Sequence, residues 1–263
     1  MDTIITSAQN PNVKHIRKLL SSSKARREAA LYVAEGIHLV QSYLTAGKSP
    51  LRYICAESAL KNPEIIALRQ KLQNSEHLLV SDDIFESLMS VHAPVGIAIL
   101  FTSDSVHADT LPSTHTSILL EDIQDPGNVG TILRTAAATG VRDAFLSSGC
   151  ASPWSQKALR AGMGAQFSMA IHEDSPLQTL VTSSPVPTLV TTLSSQSQLL
   201  YTTDLTDPTA WIFGNEGQGV SRELTQKART HVSIPQEATA VESLNVAAAA
   251  AVCLYEQYRQ QMH

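Results

Sequence analysis

The stretch Ser117-Ile-Leu-Leu-Glu-Asp-Ile-Gln-Asp-Pro-Gly-Asn-Val-Gly-Thr-Ile-Leu-Arg-Thr-Ala-Ala-Ala-Thr-Gly140 decides the reading of the fold. A short apolar run, Ile118 to Leu120, has the length of a buried strand. Asp, Pro and Gly then make a turn, and helical periodicity runs from Val129 to Thr139. A strand, a turn and a helix form half of a crossover unit, and the next strand is expected at Ala144 to Ser147. The pattern continues to the end of the chain. Strands are expected at Ser168 to Ile171, Thr188 to Thr192, Ala210 to Phe213 and His231 to Ile234, with a last helix from about Leu244 to Arg259. Upstream, Leu31 to Ala34, Tyr53 to Ala56, Leu78 to Val80 and Val95 to Phe101 read as strands with helical patterns between them. The two series are separated by residues 102–116, which are rich in Ser, Asp, Thr, Pro and His and read as a linker. The expected architecture is therefore two α/β domains, 1–101 and 117–263, with mainly parallel sheets whose ligands sit in the loops after the strands.

Composition narrows the class. With 43% hydrophobic and 16% charged residues in 263, the chain can bury one large core or two ordinary ones. The start of the chain carries Asp2, Lys14, Arg17 and Lys18 without the apolar block of a signal peptide. The longest apolar run, Val246 to Tyr255, is far shorter than the roughly 20 residues of a membrane span. Cys55, Cys150 and Cys253 are widely spaced and form no metal or disulfide pattern, and the nine histidines form no close ligand pairs. A cytoplasmic protein without a metal is expected. The net charge of −5 hides an asymmetry: Met1 to Lys48 holds seven basic residues, Lys14, Arg17, Lys18, Lys24, Arg26, Arg27 and Lys48, against Asp2, Glu28 and Glu35. A local basic cluster of this kind can contact phosphates in an otherwise acidic chain, although charge alone fits a solvated helix face equally well.

The phosphate-loop, zinc-protease and nucleophile-elbow signatures are all missing. Gly162-Met163-Gly164 lacks the third glycine of a dinucleotide fingerprint and reads as a turn, which weakens an oxidoreductase reading. Three segments at strand ends carry the unusual polar content. In the first, Asn128 stands at the expected start of a helix, where capping accounts for it as well as catalysis does. Arg134 lies among Ile132, Leu133 and Ala136, where a guanidinium is costly unless exposed or paired with an anion such as phosphate. The second, Trp211-Ile-Phe-Gly-Asn-Glu-Gly-Gln-Gly-Val220, ends a strand in three glycines around Glu216, a tight turn or an open ligand mouth. The third runs from Ile234-Pro235 through Ser243-Leu244-Asn245 into an alanine-rich helix that Ser243 or Asn245 could cap.

In order and spacing these segments resemble the three motifs of the SpoU family of RNA ribose methyltransferases, within the superfamily whose catalytic domain contains a deep trefoil knot. The resemblance covers residues from about Ser117 to the C-terminus. Thr6 to Lys14 with Ala34-Glu35-Gly36 is similar to the small α/β substrate-binding domain that precedes the catalytic domain in ribosomal RNA members. One departure lies between Pro235 and Ser243, where the loop has no glycine and is a residue longer than the family's.

The resemblance implies a knotted parallel-sheet domain, S-adenosylmethionine as cofactor, and an RNA substrate, ribosomal before transfer RNA. It implies a homodimer through the catalytic domain that completes its active site across two subunits. Carried over position by position, it places Asn128, Arg134, Glu216 and Asn245 in the catalytic set, and Thr192, Gly214, Ile234, Ser243 and Leu244 around the cofactor. Lys24, Arg26, Arg27 and Arg134 are the expected RNA contacts. The family's arginine at the Arg134 position is proposed as a base, yet a guanidinium stays protonated. Binding the adjacent phosphate and stabilising a developing alkoxide is the role that its chemistry favours, with Glu216 and Asn128 orienting it. A protein that keeps this fold without transfer activity would have no need of Asn128, Arg134, Glu216 and Asn245 together.

Overall fold

A computed structural model of the chain describes residues 3–89, 94–103, 106–194, 197–237 and 243–262. It comprises two compact units: Met1–Ser103 with Trp154–Phe167, and Asp104–Pro153 with Ser168–His263.

The first unit opens with α1 (Pro11–Ser21), whose start is set by Pro11 at the first helical position and by the Asn10 side chain accepting from the Asn12 N–H. Val13, Ile16 and Leu19 recur on its buried face. After α2 (Ser23–Ala29) come β1 (Leu31–Glu35), α3 (Ile37–Thr45), β2 (Arg52–Ala56), α4 (Pro63–Lys71), β3 (Glu76–Val80), α5 (Asp82–Leu88) and β4 (Ile97–Thr102). The sheet order is β1-β4-β2-β3. Here the expectation of a mainly parallel sheet fails: β4 enters the middle of the sheet antiparallel to both β1 and β2, and only β2 and β3 run parallel. Strand direction depends on which end of the sheet a connection returns to, and the period of the apolar residues does not report that.

Residues 154–167 belong to this unit. Trp154 packs 6.1 Å from the Tyr32 ring, and Phe167 packs edge-on to Tyr43 and Phe101 at 5.0 and 5.4 Å. Between them α7 (Gln156–Gly162) ends in a left-handed Met163, so Gly162-Met163-Gly164 is the expected turn. Of the basic residues, Arg26 donates from Nη1 to the carbonyls of Leu19 and Leu20 at the end of α1, at 2.7 and 3.2 Å. Lys24 forms an exposed pair with Glu28, and Arg27 is exposed.

The second unit contains β5 (Ser117–Leu120), α6 (Pro126–Ala138), β6 (Asp143–Leu146), β7 (Ala170–His172), α8 (Leu177–Thr182), β8 (Thr188–Thr191), β9 (Gln198–Leu199), β10 (Ala210–Phe213), α9 (Arg222–Lys227), β11 (Thr230–Ser233) and α10 (Val246–Gln261). Its sheet, in the order β7-β6-β5-β10-β8-β11-β9, is parallel throughout. Three elements start two or three residues away from the expected position. The strand expected at Ser168 begins at Ala170, after a tight turn over Ala165–Ser168. The last helix starts at Val246 because Asn245 caps it, and α6 starts at Pro126 because Asp125 caps it. Asn128 is therefore not a cap and lies inside the first turn of α6.

The segment expected as a linker is anchored at its C-terminal part, where Leu111 joins the core formed by Leu119, Phe145, Val190 and Ile212. α10 packs along α6 and is locked to the sheet by Gln257. That buried amide oxygen accepts from the Trp211 indole at 2.6 Å and from the Thr209 hydroxyl at 2.9 Å, while its N–H donates to the Asp207 carbonyl. Asp143, at the start of β6, holds His172 at 2.8 Å with one carboxylate oxygen and His115 at 2.7 Å with the other.

The His172 hydrogen bond first, against the opposing effect of burial and with help from His115, lowers the Asp143 pKa. A carboxylate depressed on folding contributes stability that is present above its unfolded pKa, about 4, and lost as pH falls through the folded value. Asp143→Asn should accordingly lower the urea midpoint at pH 7, by the equivalent of about 1–2 kcal/mol, and the gap from wild type should close below about pH 4. An equal gap at pH 7 and pH 3 would contradict the assignment.

Candidate active site at the carboxyl ends of the parallel strands

The loops after β5, β8, β10 and β11 leave the same edge of the sheet, because all four strands are parallel and β10 sits between β5 and β8. In such sheets the carboxyl edge at a change of winding direction is where backbone leaves room for a ligand. The chain steps from β5 outward to β6 and later returns to place β10 on the other side of β5.

A cleft of about 370 Å³ opens there. Its walls include Thr192 and Leu193 after β8, Gly214 to Val220 after β10, Ile234 and Gln236 after β11, and Ser243, Leu244 and Val246 at the entry to α10. All five residues expected around the cofactor, Thr192, Gly214, Ile234, Ser243 and Leu244, thus line one cavity. Gly214 is required sterically: a Cβ there would meet the Gly219 and Val220 backbone at 2.3 Å, so no other residue lets the loop fold back this closely. Of the longer loop between Pro235 and Ser243, residues 238–242 lie outside the described ones.

Three of the four expected catalytic residues form one hydrogen-bonded chain. The Glu216 carboxylate accepts from the Asn128 side-chain amide at 2.9 Å and from the backbone N–H groups of Asp125 and Gln124 at 3.2 and 3.3 Å. The Asn128 side-chain oxygen in turn accepts from the Asn245 amide at 3.1 Å. Asn245 uses its own oxygen to cap α10, accepting from Ala247 and Ala248. Capping and site-building are thus the same residue's two ends. Partial burial works to raise the Glu216 pKa, but the Asn128 and backbone hydrogen bonds outweigh it and hold the carboxyl below its usual range.

Arg134 stands apart. It is exposed on α6 and, among the described residues, makes no hydrogen bond or ion pair with Glu216, Asn128 or any other group. Six residues of helix place it about 240° around and 9 Å along the axis from Asn128, away from that residue's face. A guanidinium left in water satisfies the first of the two conditions set by its apolar neighbours.

Several residues of this site were not singled out from the sequence. Asn215 lies inside the glycine segment between Gly214 and Glu216, and the Gln124 and Asp125 contributions are backbone groups that no side-chain pattern marks. Leu193 and Gln218 line the cleft with nothing in their local sequence to announce it.

Comparison with known proteins places this geometry. Residues 115–255 match the model of the SpoU rRNA Methylase family, and residues 10–98 match that of an MRM3-like substrate binding domain. A Synechocystis protein described as an uncharacterised tRNA/rRNA methyltransferase is 38% identical, over 98% of this chain and 94% of its own. The Bacillus subtilis 23S rRNA (guanosine(2553)-2′-O)-methyltransferase RlmP is 30% identical over 95% of this chain and 97% of its own. Among solved structures, the AdoMet-bound rRNA methyltransferase from Sinorhizobium meliloti superposes with a TM-score of 0.86 at 28% identity, covering 98% of this chain and 97% of that one. With a family model spanning more than half its length and a relative aligned from end to end, the chain belongs to the SpoU rRNA methylase family.

Proposed function

We infer that the protein is an S-adenosylmethionine-dependent RNA methyltransferase that acts on a ribose 2′-hydroxyl in ribosomal RNA, in the cytoplasm. The observation that carries this reading is the Glu216–Asn128–Asn245 chain at the mouth of the cleft, which joins all three motif segments in one polar cluster. The specificity named for the Bacillus subtilis relative supports the choice of the 2′-hydroxyl of ribosomal RNA.

The cleft residues suit the cofactor. A volume of about 370 Å³ falls within the range of small-molecule sites. Ile234, Leu244 and Leu193 offer apolar surface, while Gly214 and Thr192 at the strand ends and Ser243 at the entry to α10 offer backbone and hydroxyl groups. When bound, S-adenosylmethionine supplies an electrophilic methyl group on a sulfonium, so the chain's own residues are needed chiefly for alignment and charge.

Glu216 is a poor proton acceptor because its carboxylate already accepts three N–H groups and its pKa is lowered. The Arg134 guanidinium offers only donors and no acceptor atom. In this reading the 2′-hydroxyl would release its proton to solvent as it takes the methyl group, while the sulfonium–methyl bond breaks and its electron pair stays on the departing thioether. Arg134 holds the neighbouring phosphate and stabilises negative charge on the 2′-oxygen, and Asn128 and Asn245 fix the loop that faces the ribose. Exposed Arg27 and Lys24 contribute to RNA binding in the first unit, where Arg26 shapes the surface through its hold on α1.

We further infer the deep trefoil knot and the homodimer of the family. The packing of α10, which follows β11 in the chain, against α6 supports the knot. The separation of Arg134 from Glu216 within one chain supports a dimer in which the arginine of each subunit serves its partner's cleft, and exposed Tyr255 and Tyr258 on α10, with Met262 just after it, offer apolar surface for pairing.

Arg134→Lys keeps the charge and loses the planar fork, so both it and Arg134→Ala should slow single-turnover methyl transfer by about 100-fold or more while cofactor affinity and fold stay near wild type. A near-wild-type rate for Arg134→Ala at saturating RNA and cofactor would remove Arg134 from the site. Action across the dimer has a separate test. Mixing subunits carrying Arg134→Ala with subunits carrying Glu216→Ala should restore up to about a quarter of wild-type activity, because half of the dimers are mixed and each of those has one intact site. No recovery from two individually inactive variants that exchange subunits would place both residues in the same chain's site.

A further inference from the structure

We propose that Asn215 is a positioning residue for methyl transfer: its amide bridges the loop after β10 to the loop after β5 and thereby aims Glu216 at Asn128. This rests on the catalytic reading above and adds to it a residue with a defined mechanical task.

The loop after β10 doubles back on itself. Gly219, in the left-handed region at φ 71°, returns its N–H to the Asn215 carbonyl at 2.8 Å, closing the turn at its base. The Asn215 side-chain oxygen accepts from the N–H groups of Gly217 and Gln218 at 2.9 and 3.1 Å, which holds the inside of the same turn. Its side-chain nitrogen points the other way and donates to the Asp122 carbonyl at 2.9 Å. One planar amide thus grips both loops. Glu216, the next residue, is the one whose carboxylate reaches Gln124, Asp125 and Asn128.

The receiving end is rigid. Asp122 is held in the left-handed region at φ 54°, an uncommon conformation for a residue with a Cβ. It is fixed there by Ser147, whose hydroxyl accepts from the Asp122 N–H at 2.9 Å and donates to its carboxylate at 2.6 Å. Gly149 must lack a side chain for that carboxylate to fit, since a Cβ would meet it at 2.2 Å. The strained residue turns its carbonyl to the Asn215 donor, and a strained backbone position persists only where its surroundings over-determine it.

No other side chain of similar size does both jobs. Aspartate keeps the acceptor for Gly217 and Gln218 but has no N–H for Asp122, and alanine has neither. Misplacing a reacting group by about 1 Å can cost about 100-fold in rate. Because Asn215 acts through Glu216, its loss should matter only while Glu216 is present.

The test is a double-mutant cycle in the full-length protein, read by single-turnover transfer to RNA at saturating cofactor. Asn215→Ala should slow transfer about 10- to 100-fold, and Asn215→Asp, which preserves the turn, should slow it similarly. In a Glu216→Ala background the further effect of either should fall below about 3-fold. A second readout needs no activity: in the ligand-free protein, Asn215→Asp should shift the side-chain amide resonances of Asn128 and Asn245 while amides of the first unit stay unchanged. Transfer within 3-fold of wild type, an effect undiminished by Glu216→Ala, or unmoved Asn128 and Asn245 resonances would each overturn the proposal. Absence of transfer by the wild-type protein would instead count against the catalytic reading, with the resonance measurement still deciding the role of Asn215.

Discussion

The Glu216 carboxylate has three N–H partners, and none of them is nearer to it in sequence than about 90 residues. Two are backbone groups at the entrance to α6 and the third is the Asn128 amide, which passes the contact on to Asn245 at the entrance to α10. A carboxylate facing backbone N–H groups at a helix start is favoured by the helix dipole and by charge-assisted hydrogen bonding. That interaction brings the loops after β5 and β10 together, and through Asn128 it adds the start of α10. The cleft walls depend on the same arrangement, since the glycine turn that presents Glu216 and the segment that presents Leu244 are both held by it.

The scaffold beneath is built to keep the strand ends in register. Gln257 sits in the core and satisfies the Trp211 indole, the Thr209 hydroxyl and the Asp207 carbonyl at once, which ties the last helix to β10 through groups that would be costly to leave unpaired. At the opposite edge of the sheet, Asp143 joins β6 to β7 through His172 and to the incoming chain through His115. The two strands that present Glu216 and Asn128 are thus held near their starts, β5 through His115 and β10 through Thr209 and Trp211, and firm mounting is what alignment chemistry needs.

Much of this was legible in the sequence. The alternation of short apolar runs with helical patterns marked the strands that carry the site, and the polar residues at their ends were the ones that came together: Asn128, Glu216 and Asn245. Asp125 and Asn128 are equally good capping residues, so only the start of the helix decides that Asp125 is the cap and leaves the Asn128 amide to the site. Trp154 and Phe167 would bury in any core, so their periodicity did not reveal that they pack with the first unit. The pairing of Gln257 with Trp211 spans 46 residues and has no local signature. Arg134 is exposed, one of the two arrangements that its apolar neighbours in the sequence allow, and its separation from Glu216 follows from where α6 begins, which no local pattern fixes.

The chemistry that this arrangement favours is alignment of a ribose hydroxyl without a strong base. In the proposed reaction Glu216 is a structural anion, Arg134 the cation and water the proton's destination. That division distinguishes ribose methylation from transfer to a base nitrogen, where a lone pair already exists and no developing alkoxide calls for a cation. The most direct measurement is therefore the position of the methyl group itself: the purified protein is incubated with ribosomal RNA and labelled S-adenosylmethionine, and the RNA is digested to nucleosides. The account predicts that label accumulates in a 2′-O-methylnucleoside and that the linkage 3′ to it resists alkaline hydrolysis. Label found on a base, or no incorporation into ribosomal RNA under conditions where the cofactor is bound, would contradict it.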